Sequence, residues 1–138
     1  MIHIIGAGWY GCHLTSELIE GKHDYICWEK SNGVLNGASS HNQNRLHLGF
    51  HYPRNYLTRA QSKQGFDKFL EKYDFLTSKV NGNVYAISDD SIVDFKTFLA
   101  IFRYENYELE VLDPAAIGIH HCDGAVSVSE RLIEHTKA

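Results

Sequence analysis

The spacing of hydrophobic residues changes period several times along the chain, and each change predicts an element. Ile2, Ile4 and Ile5 form a short β-branched run ended by Gly6, the pattern of a parallel strand buried on both faces. After Gly6-Ala7-Gly8-Trp9-Tyr10-Gly11 the period becomes helical. Tyr10, Leu14, Leu18 and Ile19 share a face, and Gly21 stands where a left-handed cap would close the helix. Tyr25-Ile26-Cys27-Trp28 then reads as a second strand ending at Glu29. The first part of the chain therefore predicts a βαβ unit.

Further along, Ser31 to Ser40 is small, polar and turn-rich, which predicts a loop. Tyr56 to Tyr73 predicts a helix, with Leu57, Ala60, Phe66, Phe69, Leu70 and Tyr73 near one face. Asn81-Gly82 between Lys79-Val80 and Asn83 to Ile87 signals a hairpin. Asp89 or Asp90 is expected to cap a helix carrying Ile92, Phe95, Phe98, Leu99 and Phe102. Leu109 to Leu112 predicts a short strand, Asp113-Pro114 the start of a helical turn, and Asp123-Gly124 a turn of the chain. Ser127-Val128-Ser129-Glu130 has the form of a capping box for a last helix containing Leu132 and Ile133. No internal repeat and no linker interrupts this order.

A chain of 138 residues has room for one ordinary domain. Its 13 basic and 17 acidic residues give a net charge of −4, which argues against nucleic acid as the main partner. The 3 cysteines, Cys12, Cys27 and Cys122, have no CxxC spacing, so neither a disulfide scaffold nor a cysteine zinc site is expected. No segment is long and apolar enough for a membrane helix, and Met1 to Ile5 lacks a signal peptide's core and basic flank. These features predict a reduced, cytoplasmic protein.

Gly6, Gly8 and Gly11 match G-x-G-x-x-G between a strand and a helix, and the chemistry of a dinucleotide explains each position. The first glycine permits the tight turn, the second lets backbone approach a pyrophosphate, and the third lets helix pack on strand. The pyrophosphate would sit over the helix N-terminus, where unpaired N–H groups favour anions. Glu29 stands about 20 residues further on, where an acid hydrogen-bonds ribose hydroxyls and disfavours NADP. Trp9 and Tyr10 are bulky for the variable positions but can point away from the phosphates. Cys12, in the first helical turn, is assigned to packing against the sheet rather than to an activated thiolate.

Residues 41 to 54, HNQNRLHLGFHYPR, interleave hydrogen-bonding side chains with aromatics, and Pro53 blocks a continuing helix. So many polar side chains in one stretch point to a site. His47 and His51, with His120-His121-Cys122 downstream, raise the possibility of a metal. The lack of a carboxylate at ligand spacing argues against it, and no metal ligand is assigned. For any single histidine here, a structural hydrogen bond and a catalytic role weigh about equally.

The strand-GAGWYG-helix, the acid closing the second strand, and then GASS and NQNRLHLGFHYPR together resemble the FAD-dependent oxidoreductases of the D-amino-acid oxidase and glutathione-reductase-like superfamily. The resemblance implies an α/β fold, with a Rossmann-like FAD- or NAD(P)-binding segment followed by the beginning of an α+β substrate domain. The matching boundaries are a dinucleotide-binding core over 1–78, substrate-domain strands and a helix over 79–126, and a terminal helix over 127–138. It further implies that Gly6, Gly8, Trp9, Tyr10, Gly11, Glu29 and Lys30 bind the AMP half and pyrophosphate of FAD. Ala38, Ser39 and Ser40 would lie along the pyrophosphate and ribityl chain, with Asn44 and Arg45 near the isoalloxazine ring. Arg45, His47 and His51 are the candidate catalytic residues. Arg45 would meet negative charge on reduced flavin or on a substrate carboxylate, while the histidines would line the pocket as polar or proton-transferring groups.

The implied reaction is oxidation of an amine or hydroxyl carbon of a small molecule by hydride transfer to flavin. Two alternatives stand beside it: a non-catalytic dinucleotide-binding or assembly module, and an NAD-binding oxidoreductase. The family's later strands and its late Gly-Asp motif have no counterpart in these residues. The expected assembly is therefore a homodimer, or a complex with a second polypeptide that completes the fold.

Overall fold

A computed structural model describes residues 1–134. The chain divides into two compact units, one ending at Asn44 and the other beginning at Arg45. The protein is mixed α/β.

The first unit opens with strand β1 (Ile2–Ile5), helix α1 (Trp9–Glu20) and strand β2 (Tyr25–Trp28). The two strands pair in parallel, from Ile2 opposite Tyr25 to Ile5 opposite Trp28. Parallel neighbours need a crossover, and α1 supplies it. Gly6 turns the chain from strand to helix at φ +94°, in the region that favours glycine. The 31–44 segment is a loop, as its composition predicts, and it is anchored back on the first turn. There the Leu35 N–H donates to the Ala7 carbonyl at 2.7 Å.

Three expectations for this unit are corrected. β1 is not buried on both faces: Ile4 is its one buried residue, because β2 is its only strand neighbour among the described residues. Of the face shared by Tyr10, Leu14, Leu18 and Ile19, only Leu18 is half-buried and the other three are exposed, and Gly11 is the buried residue of α1. Nor does Gly21 form a left-handed cap. It stays right-handed at φ −76°, and the following Lys22 takes the positive φ of 55°.

The second unit is a four-stranded antiparallel sheet. Strands β3 (Arg45–Leu46) and β4 (Thr77–Ser88) flank β6 (Cys122–Ile133), and β5 (Glu110–Leu112) also pairs with β6. Helix α2 (Tyr56–Tyr73) matches its predicted range, with the Asn55 side chain capping it through the Thr58 N–H. Helix α3 (Phe95–Tyr104) lays Phe98 and Phe102 into a core with Phe50, Ile87, Tyr107, Val126 and Val128. Phe98 and Phe102 are both buried there. Gly124 lies under the Phe95 ring so closely that a Cβ there would collide with it.

Further expectations are corrected here. Asn81-Gly82 is not a hairpin turn but an irregularity within one continuous strand. Val80 pairs with Glu130 and Asn83 with Val128, so β4 spends one extra residue there, and Gly82 takes φ +74°. The long partner β6 can pair both halves of β4, which removes the reason to turn back. The cap of α3 is Asp94, whose Oδ1 accepts the Thr97 N–H at 2.7 Å; neither Asp89 nor Asp90 caps it, and Ile92 lies outside the helix, exposed. Asp123-Gly124 lies inside β6 instead of turning the chain. The predicted terminal helix is also strand up to Ile133, Glu134 follows outside any helix, and residues 135–138 of that prediction fall outside the described residues. Asp113 does start a helical turn, at Ala115–Ile117, by accepting the Ala115 N–H.

Candidate functional site

In the first unit, the glycine loop, the end of β2 and the 31–44 loop meet. Gly11 packs so tightly that a Cβ would run into the Gly6 carbonyl oxygen, so only glycine allows α1 to start this close to β1. At Gly8, the N-cap, a Cβ would sit 3.0 Å from the Ser39 hydroxyl. Gly8 has no side chain with which to cap the helix; the Trp9 N–H instead donates to Ser39 Oγ at 3.1 Å. Ser39 is thus drawn to the helix N-terminus, the place where anion-binding donors gather.

Glu29 closes the arrangement. One of its oxygens accepts the Ala7 N–H at 2.7 Å, and the other accepts the N–H and hydroxyl of Ser31 at 2.9 and 2.8 Å. These donors, Ala7 foremost, hold its carboxyl down to about 2. It is an ionised acceptor on the surface, and the oxygen bonded to Ala7 has lone-pair capacity left for a hydroxyl. Lys30 and Ala38 are exposed beside these segments. Ser40 bonds within its own loop, donating to the Gly37 carbonyl, and the Asn44 N–H donates to the Asn42 side chain at φ 53°. Burial pushes the Cys12 thiol up, with Cys27 and Glu29 adding to the shift, which agrees with a packing role. A cavity of about 390 Å³ lined by Ala7, Cys12, Thr15, Cys27 and Val34 lies on the same unit, but Gly6, Gly8, Gly11, Glu29 and Ser39 are not among its lining residues.

In the second unit, Arg45, His47 and His51 gather around residues that the sequence had not singled out. Glu130, 2% exposed, is the hub. It accepts Arg45 Nη2 at 2.5 Å, Asn83 Nδ2 at 2.7 Å, the Leu48 N–H at 2.9 Å and the Tyr85 hydroxyl at 3.1 Å. Arg45 Nη2 also donates to the Tyr85 oxygen at 2.9 Å. The Tyr85 phenol is pushed well above its ordinary range, by burial first and then by Glu130. His51 Nδ1 lies 3.4 Å from the same hydroxyl. The His51 imidazole is pushed below its ordinary value by burial, His47 and Arg45, against an opposing pull from Glu130. His47 packs edge-on against His51 with ring centres 5.4 Å apart, and its Nδ1 is buried without a partner.

The 48–53 segment is held from beneath by Arg59. The residue is 4% exposed, and its guanidinium pairs with Glu105 and donates to the carbonyls of Tyr52 and Pro53 at 2.9 and 2.7 Å. Gly49, at φ +94°, lets the chain pass 3.2 Å from the Arg59 Cα at its Cβ position.

Comparison with known proteins adds a direction to this geometry. No protein-family model matches the chain. The chain is similar to the FAD-dependent monooxygenase FPY4 of Fusarium mangiferae, at 40% identity over 136 residues that make up 98% of this chain and 37% of the relative. It is also similar to the FAD-dependent monooxygenase kojA of Aspergillus flavus, at 32% identity over 135 residues, 94% of this chain and 31% of the relative. The probable FAD-dependent monooxygenase kojA of Aspergillus oryzae matches to the same extent. The chain spans about a third of the length of these curated relatives. Among the described residues, no helix is long and apolar enough to cross a membrane.

Proposed function

We propose that the chain is an FAD-binding oxidoreductase, or the cofactor-binding part of one, with the Rossmann-like organisation of the D-amino-acid oxidase and glutathione-reductase-like superfamily. The observation that carries this reading is the convergence of Gly6, Gly8, Gly11 and Glu29 at one end of a parallel βαβ unit. Gly11 is required there by the Gly6 carbonyl, and Glu29 is anchored by the Ala7 N–H. The relatives' names add weight, and they favour FAD over NAD.

The residues present fit the group. The first turn of α1, bare of any side-chain cap from Gly8, offers backbone N–H donors to a pyrophosphate. Glu29 would accept a ribose hydroxyl, and Ser39 would exchange its Trp9 bond for a phosphate oxygen. Gly6, Trp9, Tyr10, Lys30, Ala38, Ser40 and Asn44 complete the proposed cofactor residues. When bound, FAD supplies two-electron redox chemistry.

Oxidation of an amine or hydroxyl carbon in a small-molecule substrate also releases a proton, and His47 and His51 are proposed to handle it. Arg45 already serves Glu130 and Tyr85 through Nη2, so its proposed role is to fix that cluster and offer its remaining donors to substrate. We place the protein in the cytoplasm, and we propose that the open edge of β1 pairs with a second chain. The absorption spectrum of the purified protein titrated with FAD tests the central reading. Saturable binding with perturbed flavin bands supports it, and the spectrum of free FAD at every ratio overturns it.

A further inference from the structure

Tyr85 has one hydroxyl proton and three polar neighbours. Arg45 Nη2 can only donate, so at 2.9 Å the phenol oxygen accepts from it. The Glu130 carboxylate can only accept, and both its oxygens lie 3.1 Å from the phenol oxygen. If the Tyr85 proton pointed elsewhere, oxygen lone pairs would face a buried carboxylate at that distance. A charge-assisted bond to Glu130 is also the stronger choice. The proton therefore goes to Glu130. Burial and the nearby carboxylate both keep the phenol protonated, so the proton is there to give.

This leaves His51 one way to bond. Its Nδ1 lies 3.4 Å from an oxygen whose proton is committed, so Nδ1 must carry hydrogen and donate. A neutral imidazole has a single ring proton, and which nitrogen holds it is set by the bond the other side of the ring makes. We infer that Glu130 and Tyr85 are positioning residues that lock His51 in the tautomer protonated at Nδ1, leaving Nε2 as the ring atom that takes up a proton.

The groups facing His51 fit this assignment. His47 packs edge-on against it, Tyr52 lies with its ring centre 6.1 Å away, and Tyr85 crosses it at 4.9 Å. Arg45 and His47 disfavour a second positive charge there, and Glu130 favours it. His51 is exposed, unlike Glu130, so the relay runs from a buried carboxylate to a ring that solvent or substrate can reach. The tautomer follows from the second unit alone. Only the use of Nε2 on a substrate proton rests on the oxidoreductase reading.

The test is long-range proton–nitrogen NMR of the full chain, labelled uniformly with ¹⁵N, followed through a pH titration. At neutral and mildly alkaline pH, His51 should show a protonated Nδ1 and a bare Nε2. On acidification, Nε2 should move to the protonated position while Nδ1 keeps its shift. Tyr85→Phe, which keeps the ring and removes the hydroxyl, should transfer the neutral-form proton to Nε2. Glu130→Gln should give a mixture of the two tautomers. A wild-type His51 protonated at Nε2 would overturn the inference whatever the variants do. A Tyr85→Phe spectrum with Nδ1 still protonated would overturn it as well. Failure to bind FAD would sink the oxidoreductase reading without moving any of these resonances, so the two failures are distinguishable.

Discussion

Glu29 and Ala7 meet at 2.7 Å, carboxylate to backbone N–H, across 22 residues of chain. The bond ties the end of β2 to the middle of the glycine loop, and it gives an acid at this position a structural use independent of any ligand. The same carboxylate that is proposed to read a ribose also fixes the loop that is proposed to hold the phosphates. In that reading, loop geometry and ligand binding would be coupled through one side chain.

Glu29→Ala is expected to weaken FAD binding by roughly tenfold or more, the scale of one lost hydrogen bond to a charged group. Titration of the variant with FAD, read by flavin fluorescence, checks it. Wild-type affinity in the variant would remove Glu29 from the site.

The same bond predicts an acid transition. The Glu29 carboxyl is held at about 2 in the folded chain against an ordinary 4.5, so the folded state binds its proton less readily than the unfolded state. Its contribution is fully present above pH 4.5 and is lost as pH falls towards 2. Trp9 and Trp28 are the 2 tryptophans of the chain, and both lie in the first unit, so their fluorescence reads that unit alone. The acid transition should move to higher pH in Glu29→Gln. An identical profile in the two proteins would show that the carboxylate carries no such linkage.

Gly11→Ala drives a methyl group into the Gly6 carbonyl and should cost about 1–3 kcal/mol, the usual range for overpacking. Gly8→Val meets only the Ser39 hydroxyl, so it should fold while losing FAD affinity. Urea melts followed by tryptophan fluorescence, paired with FAD titrations, separate the two effects. A stable Gly11→Ala would contradict the contact. Unchanged FAD affinity in Gly8→Val would contradict the proposed backbone approach.

What the sequence revealed and what it hid divide along chain distance. β1, α1, β2 and α2 are set by short-range signals, namely glycine turns, period and caps, and these were readable. The Glu130 cluster was not. Ser127 to Glu130 satisfies the spacing of a capping box, and a glutamate is not an expected member of a buried strand face. Yet Val126, Val128 and Glu130 are all buried, whereas Ser129 between the last two is exposed, which is period-two strand patterning with a charge in it. The charge is tolerated because Arg45 comes to it from 85 residues away. No local pattern encodes that partner. Asn81-Gly82 misled for a related reason: it has turn chemistry, but β6 is long enough to pair the strand on both sides of it.

Glu130→Ala should be among the most damaging single changes in the second unit. It strands the Arg45 guanidinium, 25% exposed, together with the Leu48 N–H and the Asn83 amide. Removing one partner of a buried pair costs about 3–5 kcal/mol, and the partial exposure of Arg45 places the expected loss near the lower end, roughly 3 kcal/mol. Urea denaturation followed by far-ultraviolet circular dichroism measures it. A loss below about 1 kcal/mol, the scale of an exposed pair, would show that water already satisfies Arg45.

Arg59→Lys should destabilise the second unit although the charge is kept. A lysine cannot hold Glu105 through two nitrogens while also donating to the Tyr52 and Pro53 carbonyls. The expected cost is about 2–3 kcal/mol, with faster hydrogen exchange localised to residues 48–53. Exchange rates matching the wild type across that segment would mean that Gly49 and Phe50 hold it without Arg59.

The last prediction concerns assembly. β1 has β2 on one side and no strand on the other among the described residues, and Ile5 at 89% exposure and Trp28 at 57% stand close to that sheet's end. An apolar edge with unpaired N–H and C=O groups invites another chain. Light scattering on the purified chain at micromolar concentration should therefore report a mass above that of a single chain. Ile5→Lys, which places a charge on the open edge, should return it towards 15.7 kDa, the mass of one chain. If the wild type is already monomeric at that concentration, the β1 edge does not drive association, and the exposed residues of the first unit need another explanation.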